Sequence, residues 1–241
     1  MRARPGRYPL DSPILVAADV SSLADLDRLV GQVVGHVAGV KLGLEVMHAC
    51  GGPQVVEAVM GHGVGEIFYD AKLDDIPNTV AGAVKAIAGM GVTYTNVMAS
   101  AGLDAIKAAV DNCGETKILV VTVLTSLTGD QCFDIYGQDV DDQVRYFAEM
   151  AAKVGAHGLI SSAKQLPYLR KIPEVADMMF ITPGVRSPGT ATHDQSQVET
   201  PAAAMQNGAY RLVVGREITQ AEDPAAAADR INDDVETALD V

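Results

Sequence analysis

Short apolar runs rich in β-branched residues recur along the chain at "ILVAA" 14–18, "AGVKL" 38–42, "EIFYD" 66–70, "TYTNV" 93–97, "ILVVT" 118–122, "HGLIS" 157–161, "MMFIT" 178–182 and "RLVVG" 211–215. Each is long enough for a strand and too short for a helix. Between them lie stretches whose apolar residues recur at three and four: "SLADLDRLVGQVV", "PQVVEAVMGHG", "TVAGAVKAIAGMG", "LDAIKAAVDNC", "DDQVRYFAEMAAKVG", "AKQLPYLRKI", "TPAAAMQNG" and "PAAAADRINDDVETAL". That spacing predicts helices with one buried stripe, several ending in a glycine just before the next strand. Eight alternations over 241 residues predict a (β/α)8 barrel occupying residues 1–241 as one domain, with a doubly wound open sheet as the alternative. The strand runs are continuous rather than alternating, as expected where both faces are covered.

The polar residues that break these runs cluster at the strand C-termini. Asp19, Lys41, Asp70, Lys72, Asn96, Thr125, Arg186 and Arg216 all lie at or just past such ends. In a barrel they converge on one mouth, whereas in an open sheet they would spread along an edge. The stretch "FYDAKLDDIP" (68–77) is the densest, and strand alternation sends Asp70 and Lys72 to the same face. An isolated D-x-K pair reads most simply as an ion pair stitching a loop, of small net worth. Lys41 ending the neighbouring strand and Asp75 nearby change that reading. An alternating array of two lysines and two aspartates is costly to desolvate, and as a purely structural device it would often do no better than apolar packing. Its chemical use is to hold a protonated lysine rigid beside carboxylates, which suits protonation of a carbanion, while Asp70 would crowd a substrate carboxylate bound beside it.

On the other side of the predicted mouth, "TPGVRSPGTATHDQ" and "VVGREI" follow the seventh and eighth strands. Barrel enzymes commonly bind phosphate there, through glycine N–H groups and a basic side chain. Gly215 and Arg216 fit that role, with Arg186 as a second cation and 184–195 as a closing loop.

Composition narrows the classes. A net charge of −13 and a pI near 4.6 argue against a nucleic-acid or anionic-membrane surface. Cys50, Cys113 and Cys132 are too few and too scattered for a disulfide framework and form no CxxC. The N-terminal "MRARPGRYPLDSP" leads into an apolar run shorter than a secretory h-region, so a soluble, cytoplasmic protein is expected. His36, His48, His62, His157 and His193 show no ligand spacing, and no metal site is expected. The methionines 90, 98, 178 and 179 read as packing, and the acidic tail helix as a solvated face.

The strings "VAADV", "GVKLG", "FYDAKLDDIPNTV", "TNVMASAG", "LVVTVLTS", "TPGVR", "HDQ" and "LVVGREITQAEDP", in this order over residues 14–224, closely resemble the orotidine 5'-phosphate decarboxylase family of the bacterial type. The D-x-K-x-x-D-I-P-N-T string is highly specific. The resemblance implies a TIM-barrel homodimer that converts orotidine 5'-monophosphate to uridine 5'-monophosphate and carbon dioxide in pyrimidine biosynthesis, without metal or organic cofactor. It makes Lys72 the proton donor to the ring carbon, Asp70 the neighbour of the departing carboxylate, and Lys41 and Asp75 the rest of the charge network. Asp75, Ile76 and Thr79 would come from the partner subunit. It further implies that Asp19 and Lys41 contact the ribose, that Thr125 lies near the pyrimidine, and that Arg186, Gln195, Gly215 and Arg216 grip the phosphate. The chain departs from the family's usual pattern at Met98, where the family usually has His, at Asp74, often His or an aromatic, and at Gln197, usually Arg. Two rivals are a metal-dependent sugar-phosphate decarboxylase or aldolase of the same barrel group and a non-catalytic barrel that binds phosphate ligands. The I-P-N-T continuation speaks against the first, and retention of Lys72 with both aspartates against the second.

Overall fold

A computed structural model describes residues 12–187 and 199–239. Eight parallel strands close into a barrel in chain order: β1 (Ile14–Ala17), β2 (Gly39–Leu42), β3 (Glu66–Leu73), β4 (Tyr94–Met98), β5 (Lys117–Val121), β6 (Gly158–Ile160), β7 (Met179–Thr182) and β8 (Arg211–Val214). The helices around it are α1 (Leu23–Val33), α2 (Leu44–Cys50), α3 (Gly52–Gly61), α4 (Pro77–Ala88), α5 (Leu103–Asp111), α6 (Gly129–Tyr136), α7 (Val140–Lys153), α8 (Leu166–Leu169), α9 (Pro201–Gln206), α10 (Arg216–Thr219) and α11 (Pro224–Leu239). Pairing of β8 with β1 closes the ring and removes every sheet edge, so the open-sheet alternative is set aside.

Strand alternation sorts the apolar residues into two cores. Leu15, Ala17, Phe68, Tyr94, Leu119, Ile181 and Val213 fill the barrel interior. Their neighbours Ile14, Val16, Val40, Ile67, Ile118, Leu159, Phe180 and Leu212 face outward and are covered by the helices. With both faces buried, the strands read as unbroken apolar runs. The helices obey their periodicity: in α1, Leu26, Leu29, Val30 and Val33 are buried, and the Ser22 hydroxyl caps the first turn by accepting the Asp25 N–H at 3.1 Å. Each fully buried side chain of this kind contributes about 1.5–3 kcal/mol.

Three helices, α2, α6 and α10, were not legible from periodicity, each having no more than eight residues. The stretch read as a helix over 163–172 is helical only at Leu166–Leu169. The larger departure is in β3, which runs to Leu73 rather than ending at Asp70. Between Tyr69 and Leu73 it advances four residues while β4 advances two, from Thr95 to Val97. The strand therefore bulges at Asp70–Lys72. Lys72 has φ of 48°, the one positive value at a non-glycine among the described residues. A left-handed backbone at such a residue costs about 1–2 kcal/mol, so something must hold it there.

Candidate active site

The bulge lies at the C-terminal mouth of the barrel, where a cavity of about 200 Å³ is lined by Lys41, Phe68, Asp70, Lys72, Leu124, Thr125, Ile160, Pro183 and Val213 among others. A larger groove of about 730 Å³ runs along the flank past Arg145, Lys153, Tyr168 and Lys171. Size does not identify the site here: the flank groove contains only ordinary surface side chains, whereas the mouth contains buried charge.

Asp70 is the centre of that charge and is only 6% exposed. Its Oδ1 accepts from Lys72 Nζ at 2.7 Å and from Asn96 Nδ2 at 2.6 Å, while Oδ2 lies 3.4 Å from Lys41 Nζ. Lys41 Nζ also donates to Asp19 Oδ1 at 3.3 Å. The result is a row of alternating charges, Asp19, Lys41, Asp70, Lys72, running from exposed to buried and back toward the cavity. Burial pushes the Asp70 carboxyl up; the charges of Lys41 and Lys72 and the hydrogen bonds from Lys72 and Asn96 outweigh it and hold the group below the ordinary carboxylate range.

Two further residues shape the row. The Asn96 side chain, at an inner position of β4, accepts the backbone N–H of Lys72 at 2.6 Å as well as donating to Asp70. Gly43, just beyond β2, leaves the space through which Lys41 reaches Asp19: a Cβ there would sit 2.7 Å from Asp19 Oδ1 and 2.8 Å from Lys41 Nζ. Sequence reading placed Asn96 at the mouth without giving it a role, and it passed over Gly43. A period-two reading of β4 aligned with β3 brings out Asn96 as the polar residue one inner step above Tyr94. No comparable signal marks Gly43, because the need for space arises only from the folded loop.

Asp75 is not in the row within one chain. It is exposed, and its carboxylate accepts the Ile76 N–H at 2.7 Å; among the described residues it forms no ion pair. Pro77 opens α4, and the exposed side chains Ile76 and Thr79 stand with Asp75 outside their own chain's cavity. Ile76 is 66% exposed, unusual for a large aliphatic residue.

On the β7 and β8 side, Arg186 is buried, donates to the Val185 carbonyl at 2.7 Å and has its guanidinium pKa lowered by burial and by the adjacent charge of Arg216, with Glu217 opposing. Two like charges held this close make an environment suited to an anion. Gly215 caps the short α10 that carries Arg216. Gln195, His193 and Gln197 lie outside the described residues, as does most of the 184–195 loop. Among the described residues no group of three or more His, Cys, Asp or Glu is arranged to hold a metal ion, and no helix is long and apolar enough to cross a membrane.

The chain is similar to known proteins over most of its length. The chain is 43% identical over 220 residues to the orotidine 5'-phosphate decarboxylase of Thermobifida fusca, covering 90% of this chain and 93% of that one. It is 38% identical over 219 residues to the one from Streptococcus thermophilus, covering 88% and 93% respectively. The crystal structure of the orotidine 5'-phosphate decarboxylase of Lactobacillus acidophilus superposes with a TM-score of 0.80 at 33% identity, over 93% of this chain and 99% of that one. The model of the orotidine 5'-phosphate decarboxylase / HUMPS family matches residues 12–231, and the chain belongs to that family.

Proposed function

We propose that this chain converts orotidine 5'-monophosphate to uridine 5'-monophosphate and carbon dioxide, a step of pyrimidine biosynthesis, without metal or organic cofactor. The observation that carries the proposal is the Asp19–Lys41–Asp70–Lys72 row at the mouth of a barrel closely related to decarboxylases of that name. The substrate carboxylate would lie beside Asp70. Loss of carbon dioxide leaves the electron pair of the broken C–C bond on the ring carbon, and the Lys72 ammonium, on the cavity side of Asp70, supplies the proton that replaces the carboxylate. With no electron sink in the ring, the negative charge is localised, so the site must stabilise charge that exists only in the transition state. Lys41 and Lys72 supply that field, and it is preorganised because Asp70 already holds both lysines. Asp19 and Lys41 would contact the ribose, Thr125 the pyrimidine, and Arg186, Gly215, Arg216 and Gln195 the phosphate. Binding energy from the phosphate can be spent on closing the site around the ring.

The exposed group Asp75, Ile76 and Thr79 supports a homodimer with each mouth completed by the partner. A cytoplasmic location fits this reading. The family's description also names a second branch, so the deciding experiment is an assay of uridine monophosphate formation with and without a metal chelator. Turnover that survives chelation is expected. Turnover only with a divalent metal, or on a sugar phosphate instead, would transfer the chain to the metal-dependent branch, and binding without turnover would make it a non-catalytic barrel. For the shared site, mixing inactive Lys72→Ala and Asp75→Asn proteins under subunit exchange should restore one working site per mixed dimer; no recovery despite demonstrated exchange would place Asp75's role within its own chain.

A further inference from the structure

We infer that Asn96 is a positioning residue for this reaction: one buried side-chain amide fixes both the Asp70 carboxylate and the left-handed backbone at Lys72, and so aims the lysine. This rests on the proposed role of Lys72. Asn96 is 0% exposed, and both of its hydrogen bonds are 2.6 Å long. The orientation of the amide follows from its partners, since a backbone N–H can only donate and an ionised carboxylate can only accept. The amide oxygen therefore faces Lys72 N–H and the amide nitrogen faces Asp70.

These two bonds close a ring. Asp70 Oδ1 receives Asn96 Nδ2 on one side and Lys72 Nζ on the other, while the backbone of the same lysine is tied to Asn96 Oδ1. The β3 bulge takes the Lys72 N–H out of the strand ladder, and Asn96 gives it a partner. It is thus the residue that stabilises an otherwise unfavourable φ of 48°. Rigid placement matters for a proton donor, because a misplacement of about 1 Å can cost about a hundredfold in rate.

The charged groups around the amide are Asp70 and Lys72 on β3, Lys41 on β2 and Asp19 beyond β1; on β5 its register partner is the apolar Leu119. Replacement by Asp preserves shape and the acceptor for Lys72 N–H, but it sets a second carboxylate against Asp70. Two carboxylates so close share a proton, and the protonated form offers a donor again.

The test compares Asn96→Ala, Asn96→Asp and Lys72→Ala for kcat, KM and pH profile, each scaled to the folded fraction. Asn96→Ala should lower kcat by about a hundredfold and change KM by less than about threefold, because the ribose and phosphate contacts are untouched. Asn96→Asp should be impaired at neutral pH and regain part of its kcat as the pH is lowered, a dependence that a merely structural role would not produce. If folded Asn96→Ala keeps a near wild-type kcat while Lys72→Ala is inactive, or if Asn96→Asp follows the wild-type profile, the positioning role is wrong. Failure of both Asn96 variants to fold would make the residue part of the fold and likewise overturn the proposal. A fully active Lys72→Ala would instead remove the reading on which it rests.

Discussion

The two ends of the barrel each bury charge, and they do so in opposite ways. At the N-terminal end, Arg211 on β8 meets Glu66 on β3 through two parallel bonds, Nε to Oε2 at 2.9 Å and Nη2 to Oε1 at 2.8 Å. One cation faces one anion, and the fork geometry satisfies both. Burial pulls the Arg211 pKa down, and the hydrogen bonds and charge of Glu66 more than reverse it. At the mouth, the Asp70 carboxylate is shared between two lysines, Lys41 reaching the exposed Asp19 as well, and the row ends at the cavity on Lys72. Phe68 and Tyr94, packed edge to face with ring centroids 6.4 Å apart, form the apolar layer between the two sites. The closed pair links β3 to β8; the open-ended row leaves its last lysine facing the cavity. Buried ion pairs are weak evidence of function by themselves, and the difference in arrangement, a closed fork against a chain of shared contacts that lines a cavity, separates the two here.

The comparison breaks most readily through Arg211→Met, which preserves bulk and strands the Glu66 carboxylate. We expect a loss of about 3 kcal/mol, the lower end for a disrupted buried pair because both side chains retain some contact with water, and a fall in Tm of about 10 °C. Turnover per folded molecule should be unchanged; a large fall in kcat would couple the two ends and end the distinction. The converse variant, Asp70→Asn, should lower kcat by about 10²–10³-fold with a smaller change in Tm, since Lys72 and Asp19 can still reach water. Arg216→Ala sharpens the picture within the mouth. It should cost roughly tenfold or more in kcat/KM on the nucleotide, as for loss of a charge-assisted contact, and little on orotidine lacking the phosphate; equal losses on both would remove Arg216 from phosphate binding.

The smallest effect expected is in the acid range. The Asp70 carboxyl is held below its ordinary value in the folded state, so its contribution to stability is fully present above the unfolded carboxylate pKa of about 4 and is lost as the pH falls through the folded value. The difference in Tm between wild type and Asp70→Asn should therefore shrink as the pH is lowered below about 4. A difference that widens on acidification would mean that burial outweighs the lysines. Arg211 has the opposite sign: its raised pKa gives a contribution that is fully present below the unfolded value and is lost only as the pH rises through the folded one, at very high pH.

The barrel, and most of its mouth, could be read without coordinates because both depend on local rules. Strand and helix periods are written residue by residue, and a strand end in a closed barrel has only one place to go, so Lys41, Asp70, Lys72 and Arg186 converge once eight strands are counted. Even the pairing of Asp70 with Lys72 was legible, although the reason was not: it arises from a bulge with a left-handed lysine, not from a regular pleat. Short helices such as α2 and α6 escaped because seven or eight residues hold too few turns for a period to emerge, even where the T-x-x-Q capping box of α6 was present in "TGDQ". The sequence by itself determined the fold class, the mouth and the residue types gathered there. Tertiary structure alone decided that Asn96 clamps the bulge, that Gly43 clears a path for Lys41, that Asp19 takes the outer place in the row and that Asp75 stands outside it. Those outcomes depend on register between strands and on the space left by loops, which are set by packing among residues far apart in the chain and have no periodic signature along it.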